Sequence, residues 1–173
     1  MSESGHDAGT LRLSANAEVF GEIYLRARQF AAFIASADVE PDDLLQDALE
    51  RVLRHTDLGL LGNPLAYLRT TMLNIVRNEH RRLGRESAAF TRVAAPGVVD
   101  DAAERVIDVA VALQALSGLP VRSRALVFLV DIEDQPIDAA ASIVGVTASA
   151  ARARLSRARR ALREQLEAME APE

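Results

Sequence analysis

The chain has 173 residues, 49% of them hydrophobic, and a formal net charge of −5; this length suits one ordinary domain or two small ones, and the apolar content excludes a disordered chain. It contains neither cysteine nor lysine, which excludes disulfides and thiolate metal sites and leaves arginine as the only strongly basic residue, a usage read as codon bias. A pI near 5.3 excludes a general nucleic-acid coat, so any contact with nucleic acid must be local.

Residues 1–13 are polar and are expected to form a disordered tail. An early acid and the lack of an apolar stretch argue against a signal peptide. No run approaches the ~20 apolar residues of a membrane span, so a soluble, cytoplasmic protein is expected. From Ala15 to about Ser36, Val19, Phe20, Ile23, Tyr24, Ala27, Phe30, Ala31 and Ile34 recur at helical spacing. In EPDDLLQDALERVLRH, Pro41 suits a first turn, Asp42 and Asp43 the positive end of the helix dipole, and Arg51 and Arg54 the other end. Leu44, Leu45, Ala48, Leu49 and Val52 supply its buried stripe. After the turn DLGLLG, Asn63 and Pro64 read as N-cap and first position of a third helix. That helix buries Leu65, Leu68, Met72, Ile75, Val76 and Leu83, and presents Thr70, Asn74, Arg77, Asn78, Arg81 and Arg85.

Periodicity is lost around Ala95-Pro96-Gly97, and residues 87–102 read as a linker. Asp101 and Glu104 form a capping-box-like start for a helix with Val106, Ala110, Leu113 and Leu116 as its stripe, ended by SGLP. VRSRALVFLVDI fits helix or strand by pattern, and its all-helical company decides for helix. The predicted fold is all-α, with two small helical domains over 14–86 and 103–168.

The closing stretch concentrates charge: TASAARARLSRARRALRE, Thr147 to Glu164, holds six arginines. Ala141, Gly145 and Val146 have helix-turn-helix spacing, in which a small residue lets two helices cross and Gly takes a positive φ. Thr147 then caps the second helix, whose apolar stripe is Ala151, Leu155, Ala158, Leu162 and Leu166. Ser149, Arg152, Ala153, Ser156, Arg157 and Arg160 spread over the opposite face. Arginine reads guanine edges with two parallel hydrogen bonds, and arginine and serine also hold phosphates, so a recognition helix in the major groove is expected. The competing reading is a solvated arginine-rich surface helix. Upstream, Asp42, Asp43, Gln46, Asp47 and Glu50 make an acidic surface that suits solvent or a basic protein but not DNA. The third helix has the reverse character, so two separated positive surfaces and one acidic one are expected.

The succession DDLLQDALERVLRH, NPLAYLRTTMLNIVRNEHRR, ALQALSGLPVRSRALVFLVDIED and AAASIVGVTASAARARLSRARRAL resembles the extracytoplasmic-function (ECF) sigma factors. These are small two-domain promoter-specificity subunits of bacterial RNA polymerase, and the resemblance runs from about Ala17 to Leu166. It implies that Asp43, Gln46 and Asp47, with Glu50 beside them, meet the clamp helices of the β′ subunit. It implies that the 63–86 helix melts and holds the −10 promoter element. Asn74 sits at the family's "RN" position, followed by Arg77, Asn78, Arg81 and Arg82, with Tyr67 and Thr70 on the same helix. It implies that Thr147, Ser149, Arg152, Ala153, Arg154, Ser156, Arg157 and Arg160 lie on or beside the −35 element. The linker would run through the polymerase cleft near the RNA exit path; the β flap and an anti-sigma protein are further expected partners, and no cofactor is expected. Tyr67 stands where the family usually has Trp, Arg69 where an aromatic is usual, and Ala150-Ala151 where Thr-Val is usual. Fewer platforms for stacking bases are therefore expected, along with looser packing of the recognition helix.

A self-sufficient helix-turn-helix regulator is the alternative, but it needs neither the acidic helix nor the Asn/Arg helix. Enzyme chemistry is not expected: His6, His55 and His80 lack partners at catalytic or metal-ligand spacing, and no HExxH, GxSxG or P-loop is present.

Overall fold

The computed structural model describes residues 4–35, 39–82, 116 and 118–170. Within them the chain forms α1 (Ser4–Ile34), α2 (Pro41–Leu53), a 3-10 turn (Leu58–Leu60), α3 (Pro64–Arg82), α4 (Val121–Val127), a π-helical turn (Phe128–Ile132), α5 (Ile137–Val144) and α6 (Ala148–Glu170). No strand occurs among the described residues. The expected linker and most of the helix expected over 103–116 lie outside them, as do Leu83 and Arg85; Leu116 itself is buried.

α1 starts at Ser4, well before the expected Ala15, so the backbone from residue 4 belongs to the helix rather than to a disordered tail. The physical reason is cooperativity: with one segment nucleated by packing, adding turns is cheap, and no proline interrupts. Ala27, Phe30, Ala31 and Ile34 are buried as the spacing requires, while Tyr24 remains 37% exposed. α2 buries Leu44, Leu45, Ala48 and Val52 and opens on Pro41 with Asp42 and Asp43 in its first turn. α3 begins as predicted, with Asn63 Oδ1 accepting the amide of Ala66 at 2.9 Å.

VRSRALVFLVDI is helical, as α4 running into the π-helical turn, which α5 follows. α6 packs on both through Ala151, Leu155 and Ala158. Leu162 is only partly buried and Leu166 is 36% exposed, because 23 residues of helix, about 35 Å at 1.5 Å per residue, outrun the two short helices beneath. Ala151, where the family's usual branched residue is missing, is fully buried.

The two halves, α1–α3 and α4–α6, share one continuous hydrophobic core. Phe128 enters from the second half against Phe30 (centroids 5.5 Å apart) and Phe33 (4.8 Å) of α1, in edge-to-face and tilted contacts of the favoured kind. α3 packs on α4 and α5. Leu73 and Arg69, one turn apart on α3, are 2% and 1% exposed and form a second buried flank absent from the predicted stripe. On an isolated first domain that flank would face water; the second half covers it. Arg124 of α4 is likewise 1% exposed, and its Nη2 donates to the carbonyl of Ile34 at the end of α1 (3.0 Å).

Candidate nucleic-acid interface

The helix-turn-helix geometry is complete. Gly145 ends α5 at φ 70° and ψ 47°, and the amides of Val146 and Gly145 return to the carbonyls of Ala141 (3.0 Å) and Ser142 (3.2 Å). This is the paired hydrogen-bond pattern of a left-handed helix stop. Ala141, 2% exposed, lies where the two helices approach. Thr147 Oγ1 then accepts the amide of Ala150 at 3.2 Å, capping α6 as the sequence predicts.

On α6, Ser149, Arg152, Ala153, Ser156, Arg157 and Arg160 are exposed together, opposite the buried Ala151–Leu155–Ala158 stripe, and Arg154 is half-buried. Arg152 lies 3.9 Å from Asp138 of α5, and Arg160 3.8 Å from Glu164, contacts too long and too solvated to immobilise either guanidinium. Arg159, on the flank, is different: it grips Asp131 of the π-helical turn through Nε (3.2 Å to Oδ2) and a second bond from Nη2. That fork ties α6 to the element beneath it, and the Asp131 hydrogen bond raises the Arg159 pKa. Asp131 was missed in the sequence because its partner lies 28 residues away.

On α3, Tyr67, Asn74, Asn78, Arg81 and Arg82 are exposed, whereas Thr70 and Arg77 are half-buried. The Thr70 hydroxyl lies within hydrogen-bond reach of both the Ala66 carbonyl (3.0 Å) and that of Ile143 at the end of α5 (3.2 Å), so the second half covers it. Arg77 Nη1 donates to Asn74 Oδ1 (3.3 Å), and Arg82 lies 3.7 Å from Glu79.

The two positive surfaces, expected to be separate, meet. Arg122 at the start of α4 has a buried Nε with no hydrogen-bond partner. Its pKa is lowered first by burial, then by the neighbouring charges of Arg77, Arg154 and Arg81. The junction thus gathers arginines from α3, α4 and α6, and no carboxylate among the described residues pairs with any of the four. The reason is tertiary: packing of the second half on α3 brings the start of α4 and the flank of α6 to the end of α3. Arg122 was not among the expected site residues; its place in the arginine-bearing VRSR stretch was the only signal.

The acidic surface of α2 stands apart. Asp43, Gln46, Asp47 and Glu50 are exposed along one side. Asp47 and Glu50 lie 3.6 Å and 3.5 Å from Arg51 and Arg54 one turn on, while Asp42 is held by Arg28 Nε at 2.7 Å. Asp43 makes no ion pair among the described residues.

A family model described as "Sigma-70, region 4" matches residues 110–162. Relatives include the RNA polymerase sigma-E factor of Streptomyces avermitilis, 33% identical over 153 residues (84% of this chain and of that protein). The sigma-E factor of Streptomyces coelicolor is 32% identical over 151 residues (84% of this chain, 85% of that protein). Among solved structures, the sigma factor RpoE of Bartonella quintana, in complex with the anti-sigma factor NepR, matches with a TM-score of 0.58 at 22% identity, covering 93% of this chain and 97% of that one. The chain belongs to the ECF sigma factors, the small members of the sigma-70 family of RNA polymerase subunits.

Proposed function

We propose that the protein is a bacterial transcription initiation factor that binds core RNA polymerase and directs it to promoters through −10 and −35 elements, with no catalytic chemistry of its own. The observation that carries this reading is the pairing of a capped, arginine-faced helix-turn-helix helix with a distant acidic helix; a plain DNA-binding regulator needs only the first. Arg152, Arg157 and Arg160, with Thr147, Ser149, Ala153, Arg154 and Ser156 between and beside them, would face the −35 duplex. Tyr67, Asn74, Asn78, Arg81 and Arg82 would hold the −10 strand, joined by Thr70 and Arg77 once the second half moves away. Asp43, Gln46, Asp47 and Glu50 would meet basic residues of the β′ clamp helices, with the β flap as a second polymerase contact.

Duplex geometry supports an obligatory opening. The centres of the two elements lie about 25 base pairs apart, or about 85 Å at about 3.4 Å per pair. Two surfaces that meet at Arg122 cannot reach both; polymerase would hold them apart, with 87–102 as the tether between domains over 14–86 and 103–168. The Bartonella sigma factor is bound to an anti-sigma factor, which favours a protein of that kind as a further partner here. No helix among the described residues is long and apolar enough to cross a membrane, in keeping with action in the cytoplasm. Run-off transcription with purified core polymerase tests the reading. Promoter-dependent transcripts from core plus this protein, and none from core alone, are the expected result; tight operator-like binding without polymerase and no transcription would overturn it.

A further inference from the structure

The two halves are held together by an unusual device for a hydrophobic joint. Arg69 of α3 is 1% exposed, with its guanidinium carbon 5.2 Å from the ring centroid of Phe30 and 5.8 Å from that of Phe128. Its Nη2 donates to Glu133 Oε1 at 2.5 Å across the joint. Arg26 Nε reaches the same oxygen at 3.3 Å, and Gln135 Nε2 donates to Glu133 Oε2 at 2.9 Å. The loop that presents Glu133 is itself shaped for the purpose: the π-helical turn ends there, and Asp134 takes φ 52°, a sparsely populated conformation for a non-glycine residue.

Three observations set this network apart from ordinary core packing. An ion pair this buried adds little net stability over apolar residues of the same size, but it strongly penalises any arrangement in which one member stays buried alone. Arg69 Nε has no partner, and the joint beside it keeps a cleft of about 220 Å³ between Arg26, Asn63 and Arg69 on one side and Gln135, Pro136 and Ile143 on the other. Farther along the same joint, Arg122 of the second half lies within the field of Arg77 and Arg81 of α3. Like charges there push the halves apart.

We propose that the Arg69–Glu133 pair is an autoinhibitory latch that holds the free protein closed, covering Thr70 and crowding Arg77 on the DNA face of α3. The proposal rests on the assignment of that face to promoter DNA. The latch is the charged part of a joint whose apolar part is the Phe128–Phe30–Phe33 contact, and the arginines farther along oppose it, so a partner that spreads them, or that engages the α2 acidic face, works against the pair and the apolar contact together.

Glu133→Gln tests it. Gln keeps the shape but leaves Arg69 as an uncompensated buried cation, which favours the open state where water solvates it. The chain has no cysteine, so Arg54→Cys at the end of α2 and Arg163→Cys on α6, both exposed, take a pair of spectroscopic labels cleanly. Distance distributions between the labels, without DNA, read opening directly. Glu133→Gln is expected to shift the distribution to longer distances, and to raise the free protein's affinity for single-stranded −10 DNA by ~10-fold as the competent population grows. Arg26→Ala, on the exposed side of the network, is expected to move both readouts the same way by less, and keeps a folded comparison if Glu133→Gln melts. Wild-type distance distributions in both folded variants would overturn the latch, as would opening with no gain in DNA binding. Absence of core-dependent transcription from the unmutated protein would instead overturn the assignment of the DNA face, whatever the distances do.

Discussion

Arg124 shows how much one side chain carries at the joint. It is buried against the end of α1, and only Nη2 finds a partner; Nε and Nη1 have none. The negative end of the α1 dipole offsets part of the cost, typically ~0.3–1 kcal/mol, but desolvation of a guanidinium is several kcal/mol. Burial accordingly lowers the Arg124 pKa to about 10. Replacing it with the similarly long, uncharged methionine, Arg124→Met, is expected to raise stability by ~1–3 kcal/mol at pH 8. The sign with pH follows from linkage: a base whose pKa falls on folding burdens the fold while it is protonated. That burden is full below pH 10 and is relieved as pH rises through about 10 toward its ordinary value. The gap between Arg124→Met and the unmutated protein should therefore narrow above pH 10, read by thermal melts at pH 8 and 10.5. At the same scale, Arg152→Ala or Arg157→Ala should each weaken −35 binding by ~1–3 kcal/mol if the side chain reads a base pair. Neither has a strong partner on its own chain, so the melting temperature should hardly move. Measured against a scrambled element, a base-reading arginine loses discrimination, whereas one on phosphate loses affinity uniformly.

At the scale of elements, the turn between α5 and α6 is where sequence and structure agree most closely. Gly145 sits at positive φ, yet a Cβ built there meets nothing within 4 Å, so conformation and not space demands glycine. Gly145→Ala should destabilise the second half by ~1 kcal/mol, the cost of an L-residue in the left-handed region, detectable as a lower denaturation midpoint. Thr147→Ala removes the α6 cap and should cost about as much. Both residues of this turn were legible because cap and stop residues act over three to five positions along the chain. The Asp131–Arg159 fork, the Arg69–Glu133 pair and the burial of Leu73 were not, since each joins segments whose proximity local spacing does not encode. Leu73 did leave a trace: an apolar residue one turn beyond Arg69, off the main stripe, marks a second packed flank.

For the whole molecule, charge distribution matters more than net charge. The chain is acidic overall, yet it sets an acidic face on α2 apart from the arginines gathered at the junction and on α6. Overall negative charge weakens the long-range pull of DNA, so tight promoter binding needs the polymerase to add its own contacts. Charge reversal at Asp43 tests the opposite pole. Asp43→Arg loses a helix-dipole interaction worth ~0.3–1 kcal/mol, a small change in stability. It also sets a positive charge against a basic partner, and affinity for core polymerase should fall by ~10-fold or more, because like charges across an interface cost more than a helix end does. Competition between the variant and the unmutated protein for core measures it.

The sequence by itself determined α2 and α3, the Asn63 and Thr147 caps, the helix-turn-helix turn, the arginine face of α6 and the acidic face of α2. All of these follow from periodicity and from hydrogen bonds between residues three to five apart, the range over which a backbone imposes order. Only the tertiary structure decided that the halves close on one another, that Arg69 and Arg124 leave the surface for the joint, and that two arginine faces expected apart meet at Arg122. The physical reason is that burial and charge proximity depend on which surfaces share a core, and here residues as far apart as Ile34 and Arg124 settle that together.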